Sequence, residues 1–174
     1  MVSLARLQAL PTAAVKVRVV GSIVVLLGLL LTAACAEPVR GGCPVNVPNG
    51  STPPGESASE MFHGENGVWT VLWPDGVVAF KPDGPGEVRS DGSLAMKFSW
   101  WRAEGVEGEL RISGRRLDGA GQSLAAEIPR GNGLSGFQAS ALVFPSEGFW
   151  EVTAQAGEAR LSFVTQVSLL TTTG

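Results

Sequence analysis

Residues 94–101 alternate in character at every step. Leu94, Met96, Phe98 and Trp100 occupy one set of positions; Ala95, Lys97, Ser99 and Trp101 occupy the other. Successive side chains of an extended chain point to opposite faces, so this stretch predicts a strand with one face buried. Such a face is stable only under a second layer, which commits the chain to a layered architecture. Neighbouring segments have the same texture. VWTVLW and VVAF flank Pro74-Asp75-Gly76, a turn sequence, and predict a hairpin. In ELRISGRRL the apolar positions step from Leu110 and Ile112 to Leu117, an odd interval that predicts a bulge across Gly114. LAAEIP, FQASALVF, FWEVTAQ and ARLSFVTQVSLL supply further strands, and the 23 glycines and 11 prolines punctuate them. The expected fold is all-β, an antiparallel β-sandwich of roughly eight strands over residues 67–170 with a tail at 171–174. No stretch after residue 35 has a helical period, which excludes a parallel α/β fold.

The amino-terminal third reads differently. Thirteen uncharged residues, Val19–Leu31, follow the cations Arg6, Lys16 and Arg18, the pattern of a secretory signal helix. Positive charge stays on the cytoplasmic side, so everything beyond the run is expected outside the cytoplasm. Directly after it, Thr32-Ala33-Ala34-Cys35 resembles a bacterial lipobox. That resemblance implies a diacylglyceryl thioether on Cys35, cleavage between Ala34 and Cys35, and acylation of the new amine. Residues 1–34 are then a lipoprotein signal peptide, and two acyl signals at one end suffice for stable anchoring. The same residues leave two other fates open. Ala34-Cys35-Ala36 fits ordinary secretion, and the uncharged run Val19–Ala36 reaches 18 residues, the lower edge of a membrane span.

Residues 35–66 are rich in Pro, Gly, Ser and Asn without apolar period, which predicts a flexible, solvated tether. Cys43 lies within it. In an oxidising compartment it can pair with Cys35; a lipid on Cys35 forbids that and leaves Cys43 an inert single thiol. That single-thiol state is the expectation for Cys43.

Two resemblances extend the reading of the domain. GFWEVTAQAGEARLSFVTQV is similar to the terminal hairpin of immunoglobulin-like sandwiches in exported bacterial proteins. KFSWWR, GRRLD, GFQ and FPSEGFWEVT together resemble a group of small bacterial lipoproteins of unassigned function, over about residues 67–170. The resemblance implies an immunoglobulin-like fold and brings no activity with it. The chain has no Tyr and no core cysteine pair, so the tyrosine corner and inter-sheet disulfide of antibody domains are absent.

Little in the inventory points to catalysis. His63, the one histidine, sits at the edge of the tether and is expected to be solvated. One histidine excludes a multi-histidine metal site. Asp75, Asp83 and Asp91 each precede Gly and read as turn residues, and Glu104, Glu107 and Glu109 read as the solvated face of a connection. Neither a metal nor another cofactor is expected. Beyond the leader, 10 lysines and arginines face 16 acids, a net of about −6, which argues against nucleic acid as a partner. The candidate binding residue is Trp101, sent outward by the alternation that buries Trp100, with Lys97 and Arg102 beside it. An exposed aromatic among cations can stack on a sugar ring or seat a protein side chain. The expectation is a non-enzymatic lipoprotein, held to the extracytoplasmic side of the membrane by its lipid, binding an envelope protein or glycan. The alternatives are an accessory spacer without a ligand and, with least support, an exported hydrolase.

Overall fold

The structure, a computed structural model, describes residues 42–119, 121–131, 133 and 135–170. The expected signal helix, the expected cleavage point and Cys35 lie outside the described residues. Among the described residues ten strands run β1 (Phe62–Glu65), β2 (Val68–Val71), β3 (Val77–Phe80), β4 (Glu87–Val88), β5 (Leu94–Arg102), β6 (Arg111–Arg116), β7 (Ala125–Glu127), β8 (Gly136–Phe144), β9 (Gly148–Ala156) and β10 (Ala159–Leu169). No helix occurs among the described residues. One sheet has the order β1-β2-β5-β8-β7, with β4 also on β5; the other has the order β3-β10-β9-β6. All pairings are antiparallel except β3 with β10, which is parallel.

The inward positions of both sheets form one core. Val68, Phe98, Trp100, Leu142 and Phe144 of the first sheet join Val78, Phe80, Trp150, Val152, Leu161 and Phe163 of the second. Aromatic rings cross between the layers: Phe98 stacks on Phe163 at 6.2 Å, and Phe144 meets Trp150 edge-on at 5.6 Å. Trp150 is fully buried, on the inward parity it shares with Val152 and Ala154. The two buried indoles also satisfy their polar ends. Trp100 Nε1 donates to Ser140 Oγ at 2.9 Å, and Trp150 Nε1 donates to the Ser146 carbonyl at 3.2 Å.

Three expectations change. Pro74-Asp75-Gly76 does not close a hairpin: β2 stays in the first sheet, and β3 crosses to the second and pairs with β10. A turn sequence specifies a reversal of the local chain, not which partner the next strand finds. The register of β6 on β9 runs unbroken from Arg111↔Gln155 to Arg116↔Trp150, so no bulge interrupts it. Gly114 keeps an inward position whose space Leu124 fills; a Cβ there would lie 2.4 Å from Leu124 Cδ2. The apolar residue missing from the strand is supplied by another segment.

The third change concerns the tether. From Gly42 the chain lies against the sheets and is not free. Asn46 N donates to the Val164 carbonyl at 2.8 Å, and Val164 N donates to Asn46 Oδ1 at 2.7 Å. Asn49 then brackets Gly64 on β1, donating through Nδ2 to its carbonyl at 3.0 Å and accepting from its N–H at 3.1 Å. This strap covers backbone groups of β10 and β1 that would otherwise be open to strand addition. Cys43 is buried and disulfide-bonded, not the single thiol expected in a solvated tether. The composition of 42–61 suppresses regular structure. It does not prevent docking, because side-chain amides and carbonyls can pair with a sheet edge without forming a strand.

Candidate functional site

The outward face of the first sheet carries the most distinctive side chains. Gly64, Trp69, Trp101 and Phe137 stand opposite one another on β1, β2, β5 and β8, forming a row across four strands. Strand neighbours lie about 4.8 Å apart, so the aromatic part of the row spans roughly 10 Å. Glycine at its end has a steric reason: a Cβ on residue 64 would lie 1.8 Å from Trp69 Cδ1. Trp101 is met edge-on by Phe62 at 5.2 Å and by Phe137 at 5.3 Å. Edge-to-face pairs at this separation add stabilisation beyond burial.

Trp101 therefore points outward, as the alternation of β5 predicts, but it is partly buried. The strap covers part of the row. Ser51 Oγ accepts from Trp69 Nε1 at 3.0 Å, and Glu56 Oε1 accepts from Trp101 Nε1 at 2.9 Å. The exposed end is Phe137, at 56%. Its position in FQASALVF marks it as outward, since Gln138 and Ser140 alternate inward, but an aromatic next to a polar residue gave no reason to single it out.

Lys97 is exposed on the same face, two rows from Trp101. It borders an open depression of about 450 Å³ with Glu127, Ile128, Pro129, Ala139 and Ala141. The small side chains of Ala139 and Ala141 leave this part of the sheet low beside the aromatic row.

Arg102 is not on this face. It is 3% exposed and shares the inward parity of Trp100, so the alternation that turns Trp101 out turns Arg102 in. Its Nη1 donates to the Gly108 carbonyl and its Nη2 to the Gly133 carbonyl at 3.0 Å, tying two loops to the end of the core. Burial holds its pKa below the usual arginine value, and Arg102 remains charged all the same. Its Nε and Gln138 Oε1 lack hydrogen-bond partners among the described residues. The expected grouping of Trp101, Lys97 and Arg102 thus reduces to Trp101 and Lys97, extended by Trp69 and Phe137.

His63 is also displaced from expectation. It is buried on β1, its Nδ1 3.0 Å from the Val47 carbonyl and its ring 6.3 Å from Phe163. A carbonyl can only accept, so Nδ1 carries the proton of the neutral ring. Burial lowers its pKa, against smaller opposing effects of the Val47 hydrogen bond and the Glu65 charge. Asp75 and Asp91 act as turn residues: Asp75 Oδ1 accepts from Val77 N at 3.1 Å and Asp91 Oδ1 from Ser93 N at 2.9 Å. Among the described residues, no three His, Cys, Asp or Glu side chains are grouped to hold a metal ion. Nor is any helix there long and apolar enough to cross a membrane. No protein-family model, curated protein or solved structure matches the chain.

Proposed function

We propose that this protein is a non-enzymatic, membrane-anchored extracytoplasmic lipoprotein whose immunoglobulin-like domain binds an envelope protein or glycan. The anchor reading rests on the charged leader, the apolar run and Ala33-Ala34-Cys35. The binding reading rests on one observation: the cross-strand row Trp69–Trp101–Phe137, which ends on an aromatic ring 56% exposed and borders the Lys97 depression. Single exposed apolar residues such as Val47 and Val88 need no explanation, whereas a contiguous aromatic row with an open end is a feature that a spacer without a ligand does not require. The immunoglobulin-like reading draws support from the two packed sheets and the β9–β10 terminal hairpin.

A second reading of the anchor is favoured by the disulfide at Cys43. The chain has two cysteines, so a thioether on Cys35 and an intrachain disulfide at Cys43 exclude each other in one molecule. Cleavage after Ala36 would remove Cys35 altogether. The alternative compatible with an intrachain disulfide is an uncleaved leader that retains Cys35 and itself holds the domain at the membrane. Fatty-acid labelling separates the two. On the lipoprotein reading, Cys35→Ser abolishes the label and leaves an unprocessed precursor. A wild-type chain that takes no label sinks the lipoprotein reading. Binding is tested by affinity capture from solubilised envelopes with wild type and Phe137→Ser. An anchor aromatic at an interface is worth about 2 kcal/mol, so capture by the variant falls roughly thirtyfold while its thermal midpoint stays near that of wild type. Equal capture removes the binding role from this face.

A further inference from the structure

The outward face of the second sheet differs in charge from the rest of the molecule. On β6, β9 and β10 the outward charged residues are three arginines, Arg111, Arg115 and Arg160, and one acid, Glu151. Arg115 Nε donates to Glu151 at 2.7 Å. Arg111 and Arg160 are exposed and have no ion pair among the described residues. They flank Gln155 in one cross-strand row, Arg111↔Gln155↔Arg160. The next row is Ser113↔Thr153↔Ser162, in which Thr153 Oγ1 and Ser162 Oγ lie 2.9 Å apart and Arg160 Nε donates to Ser162 Oγ at 3.2 Å. The result is a surface of guanidinium and hydroxyl groups on β6, β9 and β10, with Glu107 and Glu158 at the adjoining β9–β10 turn, on a chain that is acidic beyond residue 35.

The strap enters on this same side. Phe149 is outward on β9, and Gly42 rests on the tip of its ring, where an added Cβ would fall 2.4 Å from Phe149 Cζ. Six residues separate Gly42 from Cys35. Seven residue steps at full extension reach about 25 Å, so a chain held at Cys35 cannot carry Gly42 farther from the membrane. With the packed strap subtracted, the long tether expected from composition is reduced to this short link.

We propose that the outward face of the second sheet, through Arg111 and Arg160, rests on an anionic lipid headgroup surface and so turns the Trp69–Trp101–Phe137 face away from the membrane. The inference rests on the membrane-anchored reading above and holds for either form of the anchor. Attraction between surface cations and anionic headgroups is short-ranged and screened by salt. Tethering raises the effective concentration of the face at the bilayer enough for a weak attraction to set orientation. The two sheets lie back to back, so when one outer face meets the headgroups the other faces the envelope.

Arginine footprinting on the full chain tests this. Wild-type protein, extracted in detergent from an exporting host, is reconstituted into phosphatidylcholine vesicles or into vesicles with 30% phosphatidylglycerol, treated with phenylglyoxal, and mapped by peptide mass spectrometry. Modification of Arg111 and Arg160 is expected to slow by about fivefold in the anionic vesicles, with exposed Arg130 unchanged and the difference lost at high salt. Equal rates in the two vesicles, or equal slowing of Arg130, overturn the proposal. Fatty-acid labelling is scored separately. Label without protection removes the docking and keeps the lipoprotein; protection without label keeps the docking and assigns the anchor to the leader.

Discussion

His63 illustrates how one buried side chain couples the strap to the core. Its ring fills space against Phe163, and its Nδ1–H reaches the strap carbonyl of Val47. Folding favours the neutral ring because burial lowers the pKa beneath the ordinary histidine value of 6.5. Below pH 6.5 the unfolded chain therefore binds more protons than the folded one, and stability falls as the pH drops towards and through the folded value. Wild type is expected to lose more thermal stability than His63→Gln between about pH 7.5 and about pH 5, because the glutamine amide still donates and does not titrate. Parallel pH profiles for the two proteins would show that folding does not lower the pKa of His63. Arg102 makes a related point about parity. Its neighbour Trp101 stands outside, yet the guanidinium lies inside, where carbonyls of two loops receive it.

At the scale of elements, the strap replaces an ordinary edge strand. Asn49 holds three backbone contacts, accepting from Ser51 N at 3.1 Å as well as bracketing Gly64. One side-chain amide thus serves Gly64 much as a strand residue would, in a segment whose prolines prevent continuous pairing. Asn49→Ala strips these contacts and leaves both polar groups of the buried Gly64 without that partner. The expected cost is about 1–3 kcal/mol, read as a lower midpoint in denaturant at unchanged slope. An unchanged midpoint would mean that the strap does not hold β1. The strap also touches the aromatic row at Trp69 and Trp101, so its docking shapes the candidate binding face.

On the scale of the whole molecule, β1 and the strap pack onto residues 67–170. The core depends on β1 and the strap to cover Phe62, His63 and the outer side of Trp101. A chain beginning at Gly67 is expected to unfold or to melt many degrees below wild type, whereas one beginning at Gly42 melts in a single transition. The comparison is made by calorimetry on the two truncations. Equal midpoints would return the strap to the status of a tether. The two outer faces divide the surface by chemistry, aromatic rings and a lysine-edged depression on one side, arginine and hydroxyl groups on the other.

Local pattern was enough to read the strands. The alternation in Leu94–Trp101 specifies which residues of β5 are inward, and Trp150 is buried because its own strand alternates in the same way. These features depend on the two-residue period of an extended chain, which near neighbours impose. Export and lipidation are likewise expectations of local sequence, carried by residues outside the described part of the structure. The remainder came from contacts between distant segments. β3 pairs with β10 across 89 residues rather than with β2, and Leu124 occupies the space that Gly114 leaves. Trp69, Trp101 and Phe137 come from three separate strands and become one site only when those strands align. The docking of 42–61 was illegible because its composition carries no period, while its energy comes from hydrogen bonds to edges that exist only after both sheets have formed. Period is a property of neighbours along the chain; register and docking are set by free energies between partners that only the fold brings together.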